Sequence, residues 1–119
     1  MEHSKEFEQL VKDIQPNVKE ITVAETLERI EAGATLIDVR EDNEWNAAHA
    51  SGSKHLGRGV IERDIVWQFP DKATELILYC GGGYRSALAA DNLQKMGYIN
   101  VYSMIGGWTA WNNAQAPTE

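Results

Sequence analysis

The only cysteine of the chain, Cys80, lies in the stretch "YCGGGYRSALAA", after an apolar run and directly before three glycines. A thiolate is a strong nucleophile, and amide dipoles with a nearby guanidinium stabilise its charged form. Glycines accept positive φ and leave room for a ligand, so the amides from Gly81 to Ser86 are predicted to curl toward the sulfur. Side chains at the three glycine positions would obstruct such a pocket. With Arg85 at the end of the loop, the pattern predicts a nucleophile in an anion-binding cradle.

A buried and inert thiol is the alternative interpretation, because free cysteine is among the most buried residue types. The position of Cys80 favours the nucleophile: it follows a predicted strand and precedes a predicted helix, where ligands collect in parallel α/β sheets. Nucleotide binding is disfavoured. "GGGYRS" lacks the Gly-Lys-Ser/Thr ending of a phosphate-binding loop and the third glycine of a dinucleotide-binding turn.

The elements around this loop alternate between helix and strand from Val23 onward. Thr22 and Glu25 form a capping-box pattern, and Gly33 stands where a helix is expected to end. Three short apolar runs, "TLIDV", "ELILY" and "INVYSM", are typical of strands that are buried on both faces. A further short strand is predicted near Lys54. The alternation predicts an α/β fold with a parallel sheet between two helical layers.

Apolar residues near the N-terminus recur with helical spacing, at Phe7, Leu10, Val11 and Ile14. Ser4 is a suitable cap, and Pro16 is expected to end this amphipathic helix. We predict an N-terminal helical extension over residues 1–19 and one domain over residues 20–116. The helix packs on the domain or contacts a partner, and packing is favoured. The final residues, "QAPTE", are expected to be frayed.

The composition narrows the function classes. The formal charge is −7, with 18 acidic and 11 basic side chains and no Lys/Arg cluster, which disfavours nucleic acid and anionic membrane surfaces as partners. A single cysteine forms no internal disulfide. The start "MEHSKEFEQL" lacks the features of a secretory signal, and no apolar stretch reaches the length of a membrane span. We therefore expect a cytoplasmic protein.

These residues together resemble the rhodanese (thiosulfate:cyanide sulfurtransferase) family, as a single-domain member, from roughly Ile21 to Ala114. Three ordered motifs carry the resemblance: "LIDVRE" with "EW" and "AHASGS", then "YCGGGYRSALAA", then "MIGGWTAW". The resemblance implies a rhodanese-like three-layer α/β/α fold with a central, mainly parallel sheet of about five strands.

The resemblance also implies a mechanism without a cofactor. Cys80 is implied as the catalytic residue, which takes the outer sulfur of thiosulfate or another sulfane donor and passes it, as a persulfide, to cyanide or a thiol. A protein that accepts the sulfur is a further partner to consider. The implied substrate-binding residues are Gly81, Gly82, Gly83, Tyr84, Arg85, Ser86 and Arg58. The implied supporting residues are Asp38, Arg40, Glu44 and His49.

Several of these roles have alternatives. Arg85 attracts the anionic substrate, pairs with a carboxylate such as Glu44, or does both. Arg58 guides anions or is a solvated surface residue. Asp38 and Arg40 are expected to form an ion pair or hydrogen-bonding set at the end of the first buried strand. His49 is expected to be structural, and no metal site is expected, since no second His or Cys stands at metal-ligand spacing.

Two other functions are alternatives to sulfur transfer. Phosphatases and arsenate reductases of this fold need Cys-x5-Arg, whereas Cys80 and Arg85 are separated by four residues. The shorter loop suits one sulfur atom better than a phosphoryl group. A non-enzymatic docking module or a persulfide carrier is the other alternative. The intact cysteine loop favours the enzyme.

Overall fold

The computed structural model describes residues 2–119 and contains one five-stranded sheet. Its strands are β1 (Lys19–Ile21), β2 (Thr35–Asp38), β3 (Lys54–His55), β4 (Leu76–Tyr79) and β5 (Val101–Met104). They lie in the order β1-β5-β4-β2-β3, and every neighbouring pair is parallel. The predicted α/β/α fold with a mainly parallel central sheet of about five strands is confirmed.

In the described part of the chain, six α-helices surround the sheet: α1 (Lys5–Ile14), α2 (Val23–Glu31), α3 (Asp42–Ala47), α4 (Ile61–Gln68), α5 (Tyr84–Lys95) and α6 (Gly107–Asn113). Local signals start two of them, α1 and α2, where predicted. The Ser4 side chain accepts a hydrogen bond from the Phe7 N–H, and Thr22 forms the expected capping box with Glu25. Among residues 2–119, no helix is both long enough and apolar enough to cross a membrane.

The two faces of the sheet carry separate apolar cores. Alternate residues of β4 point to opposite faces, so Leu76 and Leu78 pack in one core and Ile77 and Tyr79 in the other. Helices α4 and α5 cover the first face, and α2 and α6 cover the second. The central strands β2, β4 and β5 are largely apolar because both of their faces are buried, which is why their positions could be predicted.

The strand β1 was not predicted. It is a sheet edge in which Lys19 and Glu20 are exposed and only Ile21 is buried. A three-residue strand with two charged side chains has neither the alternation nor the apolar run by which strands are detected in a sequence. Its parallel pairing with β5 exists only because the tertiary fold brings the two segments together.

The N-terminal helix and the C-terminal residues both pack against the rest of the protein. Val11 of α1 is 1% exposed and Ile14 packs against the core, in keeping with the favoured packing of this helix on the domain. At the other end, the backbones of His49 and Glu119 exchange hydrogen bonds of 2.9 and 2.8 Å. The Trp111 indole N–H donates to the Pro117 carbonyl at 2.8 Å. The prediction that the last residues are frayed is therefore wrong.

Candidate active site

The loop between β4 and α5 directs backbone donors at the sulfur of Cys80. The Gly83 N–H donates to Cys80 Sγ at 3.1 Å, and the Ser86 N–H donates to it at 3.4 Å. Two of the amides that were expected to face the sulfur therefore do so. Because α5 begins at Tyr84, both donors lie at its N-terminal end, where the helix dipole favours negative charge.

The three glycines of the loop have different roles. Gly83 has a φ of +106°, a left-handed conformation that side chains disfavour, and it caps α5. A Cβ on Gly81 would lie 3.1 Å from Arg85 Nη2. A Cβ on Gly82 would meet no atom within 4 Å. Because Gly82 lines the cavity beside Cys80, a side chain there would extend into open space, and its expected obstruction of the pocket stays a prediction.

A second glycine motif supports the loop from the start of α6. The Trp108 N–H donates to the Cys80 carbonyl at 2.7 Å, and the Thr109 N–H donates to the Gly81 carbonyl at 3.2 Å. Gly107, with a φ of +51°, makes this approach possible, since a Cβ there would overlap the Cys80 carbonyl oxygen and lie 2.9 Å from the Cys80 carbonyl carbon. The "GGW" sequence thus clamps the cysteine loop through backbone contacts.

Two buried hydroxyl groups lie behind the sulfur. Ser86 Oγ is 3.6 Å from Cys80 Sγ and 2.8 Å from Ser103 Oγ, and both serines are fully buried. Sequence reasoning missed Ser103. The available signal was a small polar residue inside the apolar run of β5, because a buried hydroxyl needs a hydrogen-bond partner.

Arg85 forms an ion pair with Glu44. Arg85 Nη1 lies 2.9 Å from Glu44 Oε1, and Nη2 lies 3.3 Å from Oε2, with both side chains about one-third exposed. This hydrogen bonding raises the pKa of Arg85, and the nearby Cys80 adds to the effect. The same contact lowers the pKa of Glu44. The pairing that the sequence offered as one role of Arg85 is present.

A cavity of about 750 Å³ opens beside Cys80. It is lined by His3, Phe7, Glu41, Asn43, Glu44, Cys80, Gly81, Gly82, Tyr84, Arg85 and Thr109. Cys80 is only 1% exposed, so its thiol is sheltered from bulk water while the residue contributes to the cavity wall. Sequence reasoning missed five of these lining residues: His3, Phe7, Glu41, Asn43 and Thr109.

The remaining implied residues lie outside the lining of this cavity. Gly83 and Ser86 are buried behind the loop, where they contact the sulfur. Arg58 pairs with Glu62, with 2.9 Å between Nη1 and Oε2, and Asn92 donates to the same carboxylate at 2.7 Å. The substrate-binding role implied for Arg58 therefore has no support from the shape of the cavity.

Asp38 and Arg40 form a buried network beside the loop. Arg40 Nη2 donates to Asp38 Oδ2 at 2.8 Å and to the Ala48 carbonyl at 2.7 Å. The Tyr79 hydroxyl donates to the same carboxylate at 2.7 Å. Burial alone would lower the pKa of Arg40, but Asp38 and then Tyr79 outweigh it and raise that pKa. Burial also raises the pKa of Tyr79 to about 12, so the phenol remains a neutral donor.

His49 makes structural contacts. Its Nδ1 lies 3.0 Å from the Trp45 carbonyl oxygen, and its ring stacks on the Trp45 ring with 3.5 Å between centroids. Within residues 2–119, no group of three or more His, Cys, Asp or Glu side chains is arranged to hold a metal ion.

Comparison with known proteins agrees with this geometry. The sequence pattern of the rhodanese-like domain matches residues 22–114. The chain belongs to the rhodanese-like domain family. This rhodanese-like chain is 32% identical over 102 residues to the thiosulfate sulfurtransferase GlpE of Haemophilus influenzae, covering 85% of this chain and 94% of that one. It is 36% identical to GlpE of Pseudoalteromonas translucida, over 81% of this chain and 90% of that one. These relatives support a sulfurtransferase activity in general terms.

A solved structure resembles the rhodanese-like chain along its whole length. It is a protein of unknown function from Rhodopseudomonas palustris, described as a possible tyrosine phosphatase. The TM-score is 0.83 at 26% identity, and the match covers 100% of this chain and 98% of the other. The structural likeness therefore includes the N-terminal helix, which precedes the matched domain pattern.

Proposed function

We propose that this protein is a sulfurtransferase that moves a sulfane sulfur from thiosulfate or a persulfide donor to cyanide or a thiol, through a persulfide on Cys80. The observation that carries the proposal is the pair of amide donors, from Gly83 and Ser86, on the sulfur of the only cysteine. The sulfur stands at a helix N-terminus beside a cavity, which suits a thiolate nucleophile. The GlpE relatives support the same chemistry.

In the first step the Cys80 thiolate attacks the outer sulfur of the donor. A bond forms between Sγ and that sulfur, the sulfur–sulfur bond of thiosulfate breaks, and sulfite leaves with the electron pair. The enzyme keeps the transferred sulfur as a persulfide anion, so charge is conserved and no external oxidant is needed. The cavity shelters this reactive group from bulk water.

In the second step the acceptor attacks the outer sulfur of the persulfide. With cyanide, a carbon–sulfur bond forms, thiocyanate leaves, and the Cys80 thiolate is regenerated. Negative charge returns to Sγ during this step. Since the Gly83 and Ser86 amides point at Sγ itself, they stabilise the leaving thiolate.

A phosphatase is the second candidate, because the Rhodopseudomonas palustris protein is described as a possible tyrosine phosphatase. The length of the loop disfavours it here, because the loop is one residue shorter than Cys-x5-Arg.

The proposal is tested by intact-mass analysis after incubation with thiosulfate. The wild-type protein is expected to gain one sulfur atom, to lose it on addition of cyanide, and to release one equivalent of thiocyanate. Cys80→Ser is expected to gain none while keeping the wild-type circular dichroism spectrum. Thiocyanate formation by Cys80→Ser would overturn the assignment of the nucleophile. A phosphate-ester assay on the same samples decides on the second candidate.

A further inference from the structure

Two serine hydroxyl groups form a chain that ends at the sulfur of Cys80. Ser103 Oγ lies 2.8 Å from Ser86 Oγ, and Ser86 Oγ lies 3.6 Å from Cys80 Sγ. Both serines are fully buried, so bulk water does not compete for these hydrogen bonds, which are stronger in such a low-dielectric surrounding. We call Ser86 and Ser103 the serine pair.

The sheet register fixes the position of Ser103 relative to the sulfur. Ser103 in β5 is in register with Leu78 in β4, and Cys80 follows two residues after Leu78. Because side chains alternate along a strand, Leu78 and Cys80 point to the same face of the sheet, where both belong to one core. Ser103 therefore also faces α5, in whose first turn Ser86 lies.

The contact between the two serines has a defined direction. A hydroxyl group carries one hydrogen and two acceptor lone pairs. Within residues 2–119, the one hydrogen-bond partner of Ser103 Oγ is Ser86 Oγ. A buried hydroxyl hydrogen without an acceptor costs free energy, so the Ser103 hydroxyl donates to the Ser86 oxygen. The Ser86 hydrogen is then left for another acceptor.

The Ser86 hydrogen has two such acceptors. One is the Gly83 carbonyl oxygen at 3.3 Å, which is long for a hydroxyl donor, since about 2.7–2.8 Å is usual. The other is Cys80 Sγ. A neutral thiol donates its own hydrogen to Ser86 Oγ, and the Ser86 hydrogen then points at the carbonyl. A thiolate is an ionised acceptor, which binds a donor more strongly than a neutral one, so the hydrogen rotates onto the sulfur.

The thiolate state depends on Ser103 more than the thiol state does. In the thiol state the Ser86 oxygen accepts hydrogen bonds from both Cys80 and Ser103. In the thiolate state the sulfur no longer donates, and Ser103 is the remaining donor to that oxygen among the described residues. Without the Ser103 hydroxyl, forming the thiolate would leave a buried acceptor without a partner, which is costly.

We propose that Ser103 is a positioning residue for the Cys80 thiolate. It does not contact the sulfur. By donating to Ser86 Oγ, it keeps the Ser86 hydroxyl directed at Sγ as a third donor beside the Gly83 and Ser86 amides. Such a donor is in place before charge develops on the sulfur, so it needs no reorganisation.

The serine pair acts in both steps of sulfur transfer. The first step starts from the thiolate, and the second step returns negative charge to Sγ. A hydroxyl that can turn between the Gly83 carbonyl and the sulfur follows this change of charge without a movement of the backbone. The role in turnover rests on the proposed function, whereas the ionisation of Cys80 can be measured without any sulfur donor.

The test follows the ionisation of Cys80 by ultraviolet absorbance as the pH is varied. A thiolate absorbs in the far ultraviolet where a thiol does not. The spectrum of each protein is corrected with that of its Cys80→Ser counterpart, which cancels the ionisation of the tyrosines. Since Cys80 is the only cysteine, the difference reports one thiol. The measured quantity is the pH at which half of it is ionised, which we call the midpoint.

The decisive variants are Ser103→Val and Ser103→Thr, which have nearly the same shape and differ in the hydroxyl group. Both add the same bulk to the core, so any effect of packing is common to both. We expect Ser103→Val to raise the midpoint by about one pH unit relative to Ser103→Thr, the shift that an unpartnered buried acceptor in the thiolate state would cause. Ser103→Thr is expected to keep the wild-type midpoint.

A second comparison shows whether Ser103 acts through Ser86. In a Ser86→Ala background, Ser103→Val is expected to shift the midpoint no further, because the hydroxyl that Ser103 directs is missing. Thr26→Val is the matched control. Thr26 is fully buried, and its hydroxyl donates to the Thr22 carbonyl oxygen at 2.8 Å, outside the cavity. Its loss is expected to lower stability and to leave the midpoint unchanged.

Equal midpoints for Ser103→Val and Ser103→Thr would overturn the inference, and so would an equal shift with and without Ser86. If the added bulk prevents both variants from folding, as judged by circular dichroism, Ser103→Ala replaces them and is compared with the wild type. Wild-type protein that shows the expected midpoints but never loads sulfur would refute the proposed function alone. Loading with unmoved midpoints would refute only the role of Ser103.

Discussion

Two neighbouring strand ends of the same sheet lead into very different polar sites. Asp38 at the end of β2 is in register with Tyr79 at the end of β4, which Cys80 follows directly. The Asp38 carboxylate is fully buried and bonded by Arg40 and Tyr79. The Cys80 sulfur receives only two backbone amides and borders a cavity.

The two arginines make the same contrast. Arg40 is 3% exposed and bonds both a carboxylate and a backbone carbonyl. Arg85 is about one-third exposed and has one carboxylate partner. A charge whose partners are all supplied by the protein stabilises the fold, whereas a charge or nucleophile beside open space is available to a ligand. The β2 end is therefore interpreted as scaffold and the β4 end as the site of chemistry.

The largest effect is expected from Asp38→Asn, which tests whether the end of β2 is scaffold. Loss of the carboxylate leaves Arg40 buried without its counter-ion, so the free energy of unfolding is expected to fall by about 3–5 kcal/mol. Urea denaturation measures it. The folded fraction is expected to keep its ability to form the persulfide. Unchanged stability, or a folded protein that no longer loads sulfur, would contradict the division into scaffold and site.

A second test uses two glycines of the cysteine loop. Gly83→Ala places a Cβ at a φ of +106°, which costs about 1–2 kcal/mol and turns the N–H away from Sγ. We expect kcat/KM for sulfur transfer to fall at least about tenfold as well. Gly82→Ala is the matched control for stability, with a change below about 0.5 kcal/mol, because its Cβ meets no atom within 4 Å. Equal destabilisation by both would refute the separate roles.

Arg85→Ala is expected to raise KM for thiosulfate roughly three- to tenfold, since the variant removes the guanidinium from the cavity wall. Its effect on the free energy of unfolding should stay below about 1 kcal/mol, because the pair with Glu44 is partly exposed. Steady-state kinetics and urea denaturation measure the two effects. If KM for thiosulfate were unchanged and the free energy of unfolding fell strongly, Arg85 would have a structural role like that of Arg40.

The smallest expected effect is a pH dependence of the Glu44 ion pair. Arg85 lowers the pKa of Glu44 in the folded state, so the pair contributes stability above the usual carboxyl range and loses it as the pH falls through the folded pKa. Between about pH 5 and 3, the free energy of unfolding of the wild type should fall by a few tenths of a kcal/mol more than that of Glu44→Gln. Urea denaturation at several pH values measures it. Equal changes in the two proteins would show that the ion pair contributes nothing to stability.

The sequence by itself determined most of the elements and the position of the cysteine loop between a strand and a helix. Capping at Ser4 and Thr22, the apolar runs of β2 and β4, and the series from Cys80 to Arg85 depend on neighbours a few residues away. Such signals are local, so they can be detected without knowing the fold. The three ordered motifs in the sequence indicated the rhodanese family, and the match of the rhodanese-like domain pattern to residues 22–114 confirms it.

The tertiary structure alone decided what surrounds the sulfur. The ring of Phe7, in the helix at the start of the chain, packs edge-on against the ring of Tyr84 beside the cysteine loop, and backbone hydrogen bonds join Glu119 to His49. The edge strand β1 carries two exposed charged residues and is a strand only because β5 lies beside it. Contacts of this kind depend on which distant segments pack together. A local pattern of residue types does not predict such packing.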